Sequence, residues 1–312
     1  MYFIARREDV SIKLTGQYVP PPTTGQAGLY GKIRPGAVIC GPGNFKNKRV
    51  EHFMKKFIEE TLREAGKMAL SLAPEAKGER KADRSLVSEA DRRVETYITG
   101  RIAEHFPDDR LIGEEHGAAG DNDIAGQRLW AVDPIDGTNP YLNGLPTWGC
   151  CIGVMEAGVP LAGGIFLPRV DEMLIAARGD GALRNGEPIS PISPMEIDNQ
   201  TVMLSPSSRK RFYKMTYPGK SMAYGSIAAH VAYAITGNTI GVLVDRPYIW
   251  DILGPLAVLK EVGGWAHYPD GRPLDLATLA HGEKEELPLF FGLLENTRQL
   301  FPMIEVYPRP KK

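Results

Sequence analysis

The stretch that decides the fold is Trp130-Ala131-Val132-Asp133-Pro134-Ile135-Asp136-Gly137-Thr138. An apolar strand leads into two carboxylates and then into a Gly-Thr step. Carboxylate oxygens are the hard ligands that Mg²⁺ prefers, Pro134 stiffens the turn, and Gly137 lets a ligand approach the backbone closely. A helical turn that begins at Gly137 would direct free N–H groups at an anion. The stretch indicates a site for a divalent metal and phosphate. Taken alone, it also suits an ordinary strand-ending turn with solvated acids.

Three other segments place acidic residues at the ends of apolar runs or at the starts of helices. Leu111-Ile112-Gly113-Glu114-Glu115 is an apolar run that ends in acids, Ser88-Glu89-Ala90-Asp91 opens a helix, and Trp250-Asp251 opens an apolar helical stretch. The order of the motifs G-E-E, D-P-I-D-G-T and W-D resembles the inositol monophosphatase family of Mg²⁺-dependent, lithium-sensitive phosphatases. The resemblance covers roughly residues 50 to 295.

Hydrophobic periodicity predicts helices and strands in two successive blocks. An amphipathic helix from Val50 to Leu72 and a second helix from Ser88 to before Pro107 precede short apolar strands joined by hairpin turns, which indicates a largely antiparallel sheet. From Thr201 onward, strands and helices alternate in a more mixed half. The pattern is typical of a layered α/β protein. The resemblance implies an α-β-α-β-α sandwich of the inositol monophosphatase or sugar phosphatase type, with the metal site between the halves.

The resemblance also implies a ligand set for Mg²⁺. The first ion is expected to bind Glu114, Asp133 and the carbonyl of Ile135. The second ion is expected to bind Asp133, Asp136 and Asp251, so that Asp133 bridges the two, and a weaker third site is expected near Glu114. Paired metal ions suit phosphate ester hydrolysis because they neutralise charge and lower the pKa of bound water.

Further roles are implied for residues around these ligands. Asp91 and the Thr138 hydroxyl are expected to position and deprotonate the attacking water, with Glu114 as the third catalytic residue. The backbone amides of Gly137 and Thr138 are expected to hold phosphate. The predicted contacts to the substrate alcohol are Gly225, Ser226 and Asp245. The residues themselves also allow purely structural roles. Asp91 and Asp251 are suitable helix caps, and Asp245 suits a solvated loop.

Composition restricts the class of protein. The chain has 312 residues, 43% of them hydrophobic, and a formal charge of −1, which suits a globular protein. Charged residues at 6–9 interrupt the apolar region that a secretory signal peptide would need. The most apolar window, 149–168, contains a glutamate and a proline, which argues against a membrane span. Cys40, Cys150 and Cys151 have no paired metal-ligand spacing. They predict buried thiols in a reducing cytoplasm, without a structural zinc.

Residues 1–49 differ in charge from the rest of the chain. They carry eight Lys/Arg and two Asp/Glu, a balance of +6, which leaves a balance of −7 for the remainder. Prolines at 20–22 and other breakers predict an irregular arm. The arm either packs on its own or a neighbouring subunit, or anchors the protein to nucleic acid or another acidic surface. The rest, 50–312, is the predicted phosphatase domain, with halves at about 50–198 and 199–312.

Departures from the family pattern leave the substrate open. Pro140-Tyr141 stand where the family usually has an Asn-aromatic step, and Lys81–Arg92 resembles the histidinol-phosphate phosphatases of the same superfamily. The sequence predicts a cytoplasmic, homodimeric phosphomonoesterase that acts on a small polyol or sugar phosphate. Inositol monophosphate is the first candidate substrate, histidinol phosphate the second, and fructose bisphosphate or a nucleotide the third. A regulatory protein that binds RNA or the transcription machinery is the alternative of another class, supported only by the arm.

Overall fold

A computed structural model describes residues 45–81, 86–119 and 127–307. The predicted arm at 1–49 therefore lies outside the described residues except for its last five positions. The α-helices of the described part are α1 (Phe45–Leu72), α2 (Glu89–His105), α3 (Thr138–Leu142), α4 (Arg209–Phe212), α5 (Ile227–Ile235), α6 (Ile249–Glu261) and α7 (Leu294–Leu300). Short 3-10 turns lie at Ala73–Glu75, Pro168–Val170, Leu276–Leu279 and Phe301–Met303.

The strands of the described part form two large sheets and two small antiparallel pairs. In chain order they are β1 (Glu79–Arg80), β2 (Leu86–Val87), β3 (Arg110–Gly113), β4 (Gly117–Ala119), β5 (Arg128–Asp136), β6 (Gly149–Glu156), β7 (Val159–Leu167), β8 (Glu172–Ala177), β9 (Ala182–Arg184), β10 (Glu187–Pro188), β11 (Val202–Leu204), β12 (Tyr213–Met215), β13 (Lys220–Met222), β14 (Gly241–Asp245), β15 (Trp265–His267), β16 (Pro288–Gly292) and β17 (Ile304–Val306). The two small pairs are β1-β2 and β12-β17.

The first large sheet has the strand order β10-β9-β8-β7-β6-β5-β3-β4. Its strands pair antiparallel except for β3 and β5, which run parallel. Helices α1 and α2 cover one face. Their apolar stripes, represented by Ile58, Leu62, Val94 and Ile98, are fully buried with Trp130 against that face. The amphipathic periodicity of the two helices is thus core packing, as the sequence predicts.

The remaining layers follow on the other face of this sheet. Helix α6 lies across β5 to β8 and contacts α5, and these two helices also contact the second sheet, β13-β11-β14-β16-β15. Helix α7 packs on β16 at the outside, where Leu243, Phe290 and Leu300 are buried together. Strand β11 runs parallel to its neighbours, whereas β14 and β16 run antiparallel, so this half is mixed. The predicted α-β-α-β-α sandwich is confirmed.

Some elements differ from their predicted limits. Helix α1 begins at Phe45, five residues before the predicted Val50. Between the two predicted helices lie a 3-10 turn and the short strand β1. Strand β5 runs on through the acidic turn to Asp136. Among the described helices, none combines the length and the apolar character that crossing a bilayer requires.

Candidate active site

The predicted metal ligands meet in one cavity of about 410 Å³ at the ends of β3 and β5 and the start of α6. The residues that line it are Arg80, Leu86, Glu114, Asp133, Ile135, Asp136, Gly137, Thr138, Asn139, Gly225 and Asp251. The structure therefore brings together acids that are up to 137 positions apart in the sequence, from Glu114 to Asp251. Among the predicted site residues, Asp91, Ser226 and Asp245 do not line this cavity.

A bulge in β5 explains how Asp133 and Asp136 reach the same cavity. Residues three apart on a regular strand point to opposite faces of the sheet. Here Asp133 pairs with Cys151 of β6 while Asp136 pairs with Gly149, so β5 contains one extra residue between the two pairs. The extra residue reverses the alternation, and the carboxylates of Asp133 and Asp136 share one side. Asp133 Oδ1 also accepts the amide of Ile135 at 3.0 Å, which closes the turn.

The turn after Asp136 requires glycine. Gly137 has φ +92°, in the left-handed region, and a Cβ on it would lie 2.9 Å from Ser226 Cβ. The carbonyl of Gly137 accepts the amide of Tyr141 and so begins α3. Because any larger residue would push this turn away from α5, Gly137 keeps Thr138 at the cavity wall.

Asp91 combines the two roles that the sequence left as alternatives. Its Oδ2 accepts the amide and the hydroxyl of Ser88 at 2.8 and 2.5 Å, which caps α2. Its Oδ1 accepts the Thr138 hydroxyl at 3.2 Å. Asp91 is fully buried, and burial raises the pKa of its carboxyl. The hydrogen bonds that cap α2 therefore also fix the Asp91 carboxylate, whose other oxygen accepts the hydroxyl of Thr138.

Asp136 is held by the start of α5. Ser226 Oγ donates to Asp136 Oδ2 at 2.5 Å, the amide of Ala228 donates to the same oxygen, and Ser226 Oγ accepts the amide of Ala229 at 3.0 Å as the N-cap of α5. Ser226 is buried. Its hydroxyl contacts a predicted metal ligand, and the direct substrate contact predicted for Ser226 stays a prediction. Gly225 lines the cavity with its backbone.

A lysine bridges the two adjacent glutamates. Lys81 Nζ lies 2.9 Å from Glu114 Oε1 and 2.6 Å from Glu115 Oε1. Burial alone would lower the pKa of Lys81, but the two carboxylates raise it above its usual value. Glu115 thus shares the cation that contacts Glu114, which agrees with a supporting position behind the ligand set.

Asp251 occupies the first turn of α6, as the Trp-Asp motif predicts. Its Oδ2 accepts the amide of Tyr248 at 2.7 Å, so it also caps the helix. The side chain also lines the cavity. The site acid and the helix cap are again one residue.

The cavity concentrates negative charge in a buried environment. Burial, reinforced by the neighbouring carboxylates, raises the pKa of Glu114 to about 8 and that of Asp251 to about 7. Burial and repulsion from Glu114 and Asp136 raise the pKa of Asp133 well above its usual range, and burial raises that of Asp136. Four acids that all resist ionisation indicate that a cation is needed to balance them.

The donor set fits Mg²⁺ in its chemistry. Among the described side chains, no three His, Cys, Asp or Glu are already arranged around a common metal position. Lys81, Ser226 and the amides of Ile135, Ala228 and Tyr248 engage one oxygen of each carboxylate instead. The second oxygen of each carboxylate remains for a metal ion in the cavity. All the donors are hard oxygens, which suits Mg²⁺ and not a soft metal.

The sequence did not predict the hydrogen-bond partners of Asp245 or the position of Glu95. Asp245 is predicted at the substrate, but its carboxylate accepts the hydroxyls of Ser208 at 3.1 Å and Tyr213 at 2.7 Å. Its substrate role stays a prediction. Glu95 was not predicted, although it is fully buried and binds the turn that carries Glu114. The available signal was its spacing, because residues four apart on a helix share a face and Asp91 is four positions earlier.

The comparison with protein families agrees with the motifs and the fold. The model of the inositol monophosphatase family matches residues 51–289. The chain belongs to the inositol monophosphatase family. The family consists of phosphoric monoester hydrolases that depend on Mg²⁺ in general, and this chain is a phosphomonoesterase of that kind.

Individual relatives differ in the substrate that their names give. Inositol monophosphatase 1 of Solanum lycopersicum is 31% identical over 209 residues, covering 62% of this chain and 76% of that protein. The histidinol-phosphatase of Chlorobaculum parvum is 32% identical over 194 residues, covering 59% and 73%. The solved structure of the Thermotoga maritima IMPase has a TM-score of 0.67 and 25% identity, covering 82% of this chain and 96% of that one.

Proposed function

We propose that this inositol monophosphatase-family protein hydrolyses inositol monophosphate or a closely related polyol or sugar phosphate at the cavity that Glu114, Asp133, Asp136 and Asp251 line. The observation that carries the proposal is the β5 bulge, which directs Asp133 and Asp136, three positions apart, into the cavity that also contains the other two acids. Two or three Mg²⁺ ions are expected there. When bound, they neutralise phosphate charge and lower the pKa of water.

The ligand assignments follow the donors around the cavity. Glu114, Asp133 and the Ile135 carbonyl are proposed to hold one ion. Asp133, Asp136 and Asp251 are proposed to hold the second. The hydrogen bonds to Ser226 and to the amides of Ala228 and Tyr248 orient these carboxylates, because each leaves one oxygen of its acid available.

The Asp91–Thr138 pair is proposed to handle the proton of the attacking water. Thr138 Oγ1 can accept a proton from water while its own proton passes to Asp91 Oδ1, 3.2 Å away. Burial raises the pKa of Asp91, which makes its carboxylate a better base. The amides of Gly137 and Thr138 bind phosphate, and water attacks phosphorus directly without a phosphoenzyme.

Histidinol phosphate is the second candidate substrate. The Lys81–Arg92 segment resembles histidinol-phosphate phosphatases, and a histidinol-phosphatase is among the relatives.

We also propose a homodimer, as the family resemblance implies. A cytoplasmic location is proposed because Cys150 and Cys151 are buried free thiols.

The test is phosphate release from inositol 1-phosphate, histidinol phosphate, fructose 1,6-bisphosphate and a nucleoside monophosphate, with and without Mg²⁺. Asp136→Asn is the site variant, and Asp171→Asn is the matched control. Asp171 is an exposed turn residue in the left-handed region, which asparagine also tolerates. We expect the highest kcat/KM with inositol 1-phosphate, no turnover in chelator, and loss of turnover only in Asp136→Asn. Undiminished turnover in excess chelator would contradict the proposed mechanism.

A further inference from the structure

Glu95 is a buried acid that the mechanism above does not use. It lies on α2, one turn after Asp91, and is fully buried. Its Oε2 accepts the amide of Glu115 at 2.8 Å, and its Oε1 accepts the amide of His116 at 2.8 Å. His116 Nδ1 lies 2.7 Å from the same Oε1. All these contacts are to the short turn that follows β3.

These contacts act on the backbone of Glu114. The amide of Glu115 belongs to the peptide unit that leaves the Glu114 Cα, so fixing its direction fixes ψ of Glu114. The amide of Glu114 itself donates to the carbonyl of Val132 at 3.3 Å, next to Asp133 on β5. Glu114 is therefore held on both sides, by β5 before its Cα and by Glu95 after it.

Glu95 packs closely against the residue that begins the turn. A Cβ on Gly113 would overlap with the carboxylate of Glu95, so glycine is required where α2 meets β3. On the solvent side, Lys81 attracts the side chains of both Glu114 and Glu115. Glu95 and Lys81 therefore contact the turn from opposite sides, Glu95 at its backbone and Lys81 at its side chains.

We propose that Glu95 is a positioning residue that sets the metal affinity of the site by fixing the backbone of Glu114. The inference rests on the proposed metal-binding role of Glu114. Residues that hydrogen-bond to a metal ligand or to its backbone often change metal affinity when they are mutated. Glu95 does so from α2 without reaching the cavity.

Glu95→Gln tests the proposal with little change in volume. A glutamine has one acceptor oxygen, and its NH₂ group cannot accept an amide, so either Glu115 or His116 loses its partner. We expect the Kd for Mg²⁺, measured by calorimetry without substrate, to rise about 10- to 100-fold. Hydrogen exchange at the amides of Glu115 and His116 should accelerate, and kcat should recover at saturating Mg²⁺.

Two control variants separate positioning from general stability. His116→Ala removes the imidazole but keeps both amide bonds to Glu95, and should bind Mg²⁺ like the wild type. Glu51→Gln alters another buried glutamate, which is paired with Arg178, and should leave the Kd unchanged even if it lowers the free energy of unfolding. An equal loss of affinity in Glu51→Gln, or an unchanged Kd in Glu95→Gln, would overturn the proposal.

The wild-type protein supplies a measurement that does not depend on a variant folding. If the amides of Glu115 and His116 exchange as fast as exposed amides, Glu95 does not hold the turn and the proposal is wrong. Asp133→Asn separates this result from the proposed function. If Asp133→Asn binds Mg²⁺ like the wild type, the metal site itself is misassigned. If it loses Mg²⁺ while Glu95→Gln does not, only the positioning role fails.

Discussion

At the scale of single residues, the site acids have structural partners as well as proposed catalytic roles. Asp91 and Asp251 cap helices, and Asp136 binds the N-cap residue of α5. These bonds hold one oxygen of each acid while the acids repel one another in a buried cavity. Catalysis and folding therefore make opposite demands on the same side chains, and single substitutions can separate the two.

The first prediction concerns the acids on β5. Asp133→Asn should lower kcat by about 10²- to 10³-fold, because a neutral amide stabilises neither metal nor transition-state charge as a carboxylate does. The melting temperature of the metal-free protein should rise, since one of the clustered charges is gone. Steady-state kinetics at saturating Mg²⁺ and thermal melts in chelator test this, with Asp171→Asn as the control. A near-native kcat at full metal occupancy would refute the ligand assignment.

The second prediction concerns pH. The pKa of Glu114 is raised to about 8 and that of Asp251 to about 7, above the usual values of acids in the unfolded chain. The folded protein therefore holds more protons, and the stability that these groups contribute is full below about pH 4 and is lost as the pH rises to about 8. Mg²⁺ must displace the same protons, so its affinity should increase over that range.

Urea unfolding in chelator between about pH 5 and pH 8 measures the effect. Glu114→Gln is the control, because it cannot titrate at this position and should show a smaller decline in stability with rising pH. If the metal-free wild type became more stable than Glu114→Gln as the pH rose, the raised pKa of Glu114 would be wrong.

At the scale of elements, the turn between β5 and α3 decides the shape of the site. Gly137→Ala would combine a left-handed φ with a contact of 2.9 Å to Ser226 Cβ. Gly144→Ala has a similar φ of +69° but nothing within 4 Å, so it isolates the backbone cost. Gly137→Ala should lose about 1–3 kcal/mol more unfolding free energy than Gly144→Ala, and only Gly137→Ala should also lose Mg²⁺ affinity. Equal losses in both would show that the contact with Ser226 is unimportant.

Among the elements, the sequence predicts those that have a regular apolar pattern or a clear start or end signal. The helices α1, α2 and α6 follow from apolar stripes and from Ser88 and Asp251 at their starts. The sequence does not predict the β5 bulge, because D-x-x-D on a regular strand would place its two acids on opposite faces. The bond from Ser226 to Asp136 joins residues 90 positions apart, and Glu95 contacts a turn 20 positions away. Tertiary contacts of that kind leave no local signal, apart from the spacing of Glu95 from Asp91 on one face of α2.

At the scale of the whole molecule, residues 44–312 form a compact unit that contains every site residue. Deletion of residues 1–43 should therefore leave Mg²⁺ binding and most of kcat in place. Because residues 1–43 carry five Lys/Arg and two Asp/Glu, a balance of +3, any RNA binding should weaken with the deletion and should fall steeply with salt in the full chain. Kinetics, mass in solution and RNA retention on both proteins test this. A truncated protein that binds Mg²⁺ but has lost catalysis would show that the arm contributes to the site.

The central claim is that four acids, at the end of β3, on β5 and in the first turn of α6, hold the metal ions of a phosphomonoesterase. Crystals soaked in Mn²⁺ and phosphate, with data collected at the manganese absorption edge, test it most directly. The account predicts at least two anomalous peaks in the cavity, bonded to Glu114, Asp133, Asp136 and Asp251, with phosphate against Gly137 and Thr138. An empty cavity at saturating Mn²⁺, with Glu114 still paired with Lys81, would contradict it.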